Sequence, residues 1–450
     1  MGPQFIQPET LEERLIYWAI VGTWGFWLLG GLYVLSPVLG FGLIAIIAAR
    51  ALGILGEPET PRLAPAAIVW SVGMAAMLLA LVVAHVDYEL GAAQTIKSIF
   101  GWGKGWALLA VFIIVGSAMR IRPQIVYRAT GLLAAQTLVL APVFVLAGNI
   151  GLPAELYVSP LRAIGGPGPE FFDVTLYAID DTSGNLRWRF FAPWSTAAAF
   201  IAGIGFVFAL YERWPAWKVV GIVSAVVVCI MAGSRLSVVA MPLMLVMVIA
   251  ISNARRPVML MAIGVVAVAF VLMSEQVIVA YQDFDEAFRA ARIESSRVRA
   301  TLASIAYHRW ITEAPIFGHG IVERGPKLVH FMAIGSHHTW HGLLFVKGAV
   351  GFVALAFPLA WSFVELSLKA QADRVARAAL GVVIAVIVFS FGDNLEIVAY
   401  LVWPGLVLVG IAHGRRLRNP YAGHLGYSRE KPASQRAFLE PLPEGPGGRP

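Results

Sequence analysis

The sequence predicts an all-α polytopic membrane protein of about twelve transmembrane helices with two long outward-facing loops, the larger partly helical. Composition is the first reason: 58% of the 450 residues are hydrophobic and 14% charged, with a mean hydropathy of +0.74, well beyond the apolar content of a soluble domain. The second is a succession of apolar runs, each near the roughly 20 residues that cross a hydrocarbon core. The third is the alternation of charge between successive connections.

Taken in order, residues 1–14 form a polar cytoplasmic segment. It carries Pro3, Pro8 and a capping box at Thr10-Leu11-Glu12-Glu13, where a threonine oxygen and a glutamate three residues on satisfy the free amides of a helix start. It lacks the basic n-region, short apolar core and small-residue cleavage site of a secretory signal, so the first span is expected to stay as an anchor. Spans are expected near 15–34, 36–54, 65–86, 104–120, 128–149, 192–211, 217–232, 236–252 and 257–275, then near 338–365, 376–392 and 396–413. Only Ser36-Pro37 separates the first pair, and 338–365 reads either as one span or as a re-entrant turn followed by a span. The organisation is thus nine spans over 15–275 with a loop at about 150–191, a large loop at 276–336, three further spans over 337–413, and a cytoplasmic, disordered tail at 414–450 rich in Pro, Gly and charge.

Alternating sides from a cytoplasmic N-terminus places Arg50, Arg62, Arg120, Arg122, Arg128, Arg213, Lys218, Arg255, Arg256, Lys369, Arg374 and Arg377 on one side. The short opposite connections hold Asp87, Glu89, Asp393, Asn394 and Glu396, with few cations such as Lys97 and Lys104. That is the positive-inside pattern, with both termini cytoplasmic and both long loops outside. It also accounts for the net charge of +7 without nucleic acid, because the basic residues are spread over loops rather than gathered on a face. The lone Cys229 excludes a disulfide framework within the chain and a cysteine metal site.

In the first long loop, Phe172–Tyr177 and Leu186–Phe191 alternate around Asp180-Asp181-Thr182-Ser183-Gly184-Asn185, which predicts a short hairpin. In the second, the chain reads as helix from about Glu286 to Thr312 and is interrupted at Pro315. A connection of that length with its own helix is usually functional.

Chemistry concentrates around this second loop. Gly335-Ser336-His337-His338-Thr339-Trp340-His341-Gly342 puts three histidines at the start of an apolar helix. Gly233-Ser234-Arg235 lies between two apolar runs, and Arg289, Arg292, Arg297, Arg299 and Arg309 stud the loop helix. Each group also has a bland reading. Arg235 can snorkel from a helix end, Arg289 and Arg292 can face anionic lipid, and His341 can satisfy backbone groups. A metal site would draw on His319, His330, His337, His338, His341 and the Asp283-Phe284-Asp285 element, yet there is no His-Glu-x-x-His pattern, and acidic residues suit a helix start anyway. The expectation is that no metal or other cofactor is required.

Ser234-Arg235 opening an apolar helix, a basic external helix, Pro315-Ile316-Phe317-Gly318-His319-Gly320, and His337 followed at fixed distances by Gly348 and Gly351 together resemble the O-antigen ligase and O-antigen polymerase superfamily. The resemblance covers about residues 220–365, and the expected span count extends it to the whole architecture. It implies a multi-pass protein of the bacterial inner membrane with its active site facing the periplasm. It also implies that Arg235, His337 and a loop arginine, Arg297 or alternatively Arg299, serve the reaction. The residue after that histidine is usually Asn, Ser or Gln in the family and is His338 here. Arg299, His338, Arg309, Arg189 and Lys97 are the expected substrate contacts.

The chemistry of the resemblance is coherent. Outside the membrane no nucleotide sugar is at hand, so the donor is a polyprenyl-diphosphate-linked glycan. Arginine forks suit the diphosphate leaving group, and a neutral imidazole suits the acceptor hydroxyl. Trp188, Tyr307, Trp310 and Trp340 offer flat faces for sugars, as do interfacial aromatics without ligands. The expected activity is that of an O-antigen ligase, with lipid A–core or another glycan as acceptor and membrane lipid as surroundings. A polymerase of the same superfamily is the first alternative, and a lipid-linked glycan transporter or flippase is the second.

Overall fold

The computed structural model describes residues 6–179, 184–276, 278–280, 282–283, 293–335 and 338–415. Among the described residues, seven helices are long and apolar enough to cross a membrane. In order, the first half comprises α1 (Leu11–Val21), α2 (Thr23–Leu28), α3 (Leu32–Ala51), α4 (Pro65–Asp87), α5 (Ala92–Lys104), α6 (Trp106–Ala118) and α7 (Pro123–Asn149). Then come β1 (Glu155–Val158), β2 (Asp173–Thr175), β3 (Ala178–Ile179) and β4 (Leu186–Arg187), followed by α8 (Ser195–Tyr211), α9 (Pro215–Ala232), α10 (Arg235–Ser252) and α11 (Pro257–Leu272). The loop helix α12 (Ile293–Glu313) and the helices α13 (Thr339–Ala370), α14 (Arg374–Ser390) and α15 (Leu395–Gly414) complete the described chain.

The C-terminal helix α15 is the core of the bundle, buried along most of its length. It crosses α6 at very short range. A Cβ added at Gly116 would lie 2.1 Å from the Val407 carbonyl, and one at Gly410 would lie 2.3 Å from that of Ile113. Hydrocarbon tails are as apolar as leucine, so membrane helices associate by close packing, and small residues permit it. Phe112 stacks on Trp403 at this crossing with ring centroids 5.2 Å apart.

Ion pairs gather at one end of the bundle. Thr10 caps α1 by accepting from the Glu13 amide at 3.2 Å, as the capping box requires. Arg50, at the end of α3, grips Glu12 through both nitrogens at 3.2 and 3.0 Å. Arg122, before α7, holds Glu13 at 2.8 and 2.7 Å. These arginines keep Glu12 and Glu13 below the usual carboxylate range although burial pulls the other way. The segments that the charge alternation puts on one side therefore meet at one end.

Two local expectations are corrected, and the stretch at 338–365, left open above, is interrupted. The run at 15–34 is not one helix: the chain breaks at Gly22 and again between Leu29 and Gly31, while Pro37 lies inside α3. The hairpin is smaller than expected, because Asp173–Thr175 pairs antiparallel with Glu155–Val158 and only Ala178–Ile179 pairs with Leu186–Arg187. The run at 338–365 contains a break, at Gly348. Among the expected spans, the one near 192–211 forms an apolar helix of 17 residues, and α11 buries none of its residues. The tail from residue 416 lies outside the described residues.

Candidate functional site

The break in α13 organises one end of the bundle. Gly348 has φ 60° and ψ −162°, a conformation open essentially to glycine alone. A break in a helix leaves carbonyls before it and amides after it without partners, and apolar surroundings make that costly. Residues 315–320 take up four of these groups. The amides of His319 and Gly320 donate to the Phe345 and Val346 carbonyls at 2.9 Å each, while the Ala349 and Val350 amides donate to the Pro315 and Ile316 carbonyls at 2.9 and 3.1 Å. The Pro315–Gly320 motif is thus a strap that closes the interrupted helix. His319 is buried in it, with one ring nitrogen 2.9 Å from the Phe345 carbonyl and the other 2.8 Å from Glu313.

The strap also fixes α12. Val298, Leu302 and Ala306 form its buried face against Val329, Ile334 and Phe345. Arg309 is taken up in the same junction, bonded to Glu313 at 2.8 Å and Glu323 at 2.6 Å, with its guanidinium 5.0 Å from the Phe345 ring centre. Its contacts are those of a brace for the loop, not of a group facing the recess described next.

A second hub is the connection 391–394 between α14 and α15. Its Asp393 is 3% exposed. The carboxylate accepts from Trp194 Nε1 at 2.9 Å, Thr196 Oγ1 at 3.3 Å and the Asn394 amide at 2.9 Å. The Asp393 carbonyl accepts from both the amide and hydroxyl of Thr339, which anchors the start of α13. A Cβ on neighbouring Gly392 would meet Leu236, the residue after Arg235. The beginnings of α10 and α13 are therefore held to one short connection.

Arg299 reaches toward this hub. It is exposed, as Arg297 is, and surrounding protein is the main influence that pulls its guanidinium below the ordinary range; Asp393 opposes the shift and Arg187 adds to it. Burial pushes Asp393 up to about 6, against the pull of Trp194, Asn394, Thr196 and Arg299. Arg187, on β4, approaches Gly233, where an added Cβ would lie 3.8 Å from the guanidinium Nε. Arg187 and Arg299 thus lie about one recess beside Gly233, with Asp393 as its counter-charge.

His338 borders it as the cap of α13. Its Nδ1 accepts from the His341 amide at 3.4 Å, and its ring lies 4.1 Å from that of His341. Burial, then the neighbouring His341, lowers His338 to about 4, so the ring is neutral at physiological pH. A neutral imidazole with Nδ1 committed as acceptor carries its proton on Nε2 and presents a donor, not a base.

Other expected contacts are dispersed. Arg297 is exposed on α12, one position before the buried Val298. Arg189 donates to the Pro193 carbonyl at 2.8 Å and lies in a partly buried setting near Asp173 and Glu170, where burial lowers it. Lys97 is exposed on α5, while Lys104 donates to the Gly165 carbonyl at 2.8 Å. The indole N–H groups of Trp188, Trp310 and Trp340 are spent on Phe144, Pro315 and Ser390. His337, Asp285 and the side chain of Arg235 lie outside the described residues. Among the described residues, no three His, Cys, Asp or Glu side chains converge as metal ligands.

Sequence reasoning singled out neither Arg187 nor Asp393 as a site residue. Period-two alternation would put Arg187 and Arg189 on one face, but β4 ends at Arg187, so only the fold separates them. No protein-family model matches the chain, and no curated protein matches it.

Proposed function

We propose that this protein is a membrane glycosyltransferase of the O-antigen ligase type, working at the periplasmic face of the bacterial inner membrane. It moves a glycan from a polyprenyl diphosphate carrier to an acceptor hydroxyl, on lipid A–core or another glycan. The observation that carries the reading is the recess where Arg187 and Arg299 lie beside Gly233, the His338 cap and Asp393. Guanidiniums grip phosphate oxygens by two bonds, so their presence here suits a diphosphate better than a neutral sugar.

In the reaction, the acceptor oxygen bonds to the anomeric carbon as the bond to the diphosphate oxygen breaks, and the electron pair leaves with the diphosphate. Arg299, Arg187 and Arg235 stabilise the charge developing on that leaving group. The acceptor proton passes to His337, immediately before the cap. His338, its Nδ1 already engaged, donates through Nε2 and holds a substrate oxygen.

The test is turnover of a polyprenyl diphosphate glycan and acceptor by purified protein. His337→Ala is expected to abolish transfer while donor binding persists, His338→Asn to be tolerated because an amide also caps and donates, and chelator to have no effect. Full activity of His337→Ala would remove the base from the scheme. Loss of activity in chelator, restored by a divalent ion, would replace arginine catalysis with metal catalysis.

A further inference from the structure

A groove lies away from the recess, between α7, α8 and α9. Small residues open it, among them Gly131, Ala134, Ala202, Gly205 and Ala225. Helices α7 and α9 are both long and apolar enough to cross the membrane, so the groove lies at membrane depth, where hydrocarbon is the available filling. Its lining on α8 runs from Ala198 to Glu212 just beyond the helix end, about 20 Å at the rise of an α-helix.

Its two ends differ. The inner end is closed by Glu212, which pairs with buried Arg128 at 3.2 Å, and by Trp217, over which Arg128 sits at 5.2 Å. The outer end is formed by Phe190, Phe191 and Val228. From Val228 the same helix reaches Gly233, beside the Arg187 guanidinium, within about 8 Å. An occupant with an anionic head at the recess would run its hydrocarbon tail inward along the groove.

We infer that this groove holds the polyprenyl tail of the donor, so that the diphosphate is delivered to Arg187 and Arg299 by a chain seated between α7, α8 and α9. The inference rests on the donor proposed above. A polyprenyl diphosphate has a single tail attached directly to its charge, which matches one groove leading to one cationic recess. A phospholipid shares the anionic head but carries two tails.

The experiment has two arms. In the first, kcat/KM is measured with donors of the same glycan on long and on short polyprenyl chains. The intact protein is expected to prefer the long chain at least tenfold, and Gly205→Leu to bring the ratio near one. A Cβ at Gly205 meets nothing closer than Thr130 at 3.8 Å, so the new side chain occupies the groove without a backbone clash. Equal use of both donors by the intact protein, or an equal loss for both in the variant, would overturn the inference. In the second arm, polyprenyl diphosphate with a photoreactive group on its tail is cross-linked to intact protein in vesicles. Labelling of Thr130, Ala202 or Trp217 is expected. Labelling without any turnover would keep the groove and refute the transferase reading. Turnover with labelling elsewhere would do the reverse. A photoreactive phosphatidylglycerol that labels the same residues and is not displaced by polyprenyl diphosphate would assign the groove to phospholipid and overturn the inference.

Discussion

Replacing Gly348 by alanine tests whether the broken helix is a built feature. The backbone at φ 60° and ψ −162° is costly for any residue with a Cβ, about 1–3 kcal/mol. The new Cβ would also lie 2.2 Å from the Ile316 carbonyl oxygen and 2.6 Å from the Phe317 amide nitrogen, so the strap must move away. The Ile316 carbonyl accepts from Val350, and losing that bond costs about 1 kcal/mol. A destabilisation of roughly 2–4 kcal/mol follows. Gly42→Ala is the control, because a Cβ there meets nothing within 4 Å, and alanine in a helix interior is neutral or stabilising by up to about 1 kcal/mol. The assay is thermal unfolding in detergent followed by tryptophan fluorescence, with limited proteolysis of the 315–320 segment. Gly348→Ala is expected to melt several degrees lower and to be cleaved faster. Melting at the intact temperature with unchanged cleavage would refute the argument that the strap and the break depend on each other.

Three further outcomes are expected. Arg299→Lys should lower turnover at least a hundredfold, because an ammonium does not reproduce the fork, whereas Arg297→Lys should stay within about threefold; similar losses would mean that the recess does not select between them. The raised Asp393 disfavours its ionised form in the folded protein, so its contribution to stability is present below the ordinary carboxylate range and is lost as pH rises through about 6. Melting temperature measured from pH 5 to 7 should therefore fall less in Asp393→Asn than in the intact protein, and identical slopes would show that Asp393 does not titrate there. Reporter fusions after Arg213, Arg256 and Arg374 should report cytoplasm and fusions near Gly184 and Arg299 periplasm; inversion at any two would move the recess to the other face.

By itself the sequence determined what depends on local pattern. Apolar runs of sufficient length become helices because backbone groups in hydrocarbon must bond within the segment, so α4, α7, α9 and α15 lie within a few residues of their expected limits. The Thr10 cap was legible for the same reason, its partners being three residues apart. The sequence left open whether the stretch around Gly348 was one span or a re-entrant turn followed by a span.

What the tertiary structure decided is which distant groups share one space. Arg297 and Arg299 are equivalent by composition, and only the packing of Val298, Leu302 and Ala306 against Phe345 turns one of them toward Asp393. Arg187 and Asp393 are 206 positions apart, 393 less 187, and their common relation to Arg299 has no local signature. The strap is the clearest instance. Pro315–Gly320 reads as a motif, but its work, closing a helix that breaks at Gly348, follows from unpaired backbone groups that exist only once that helix has formed and broken.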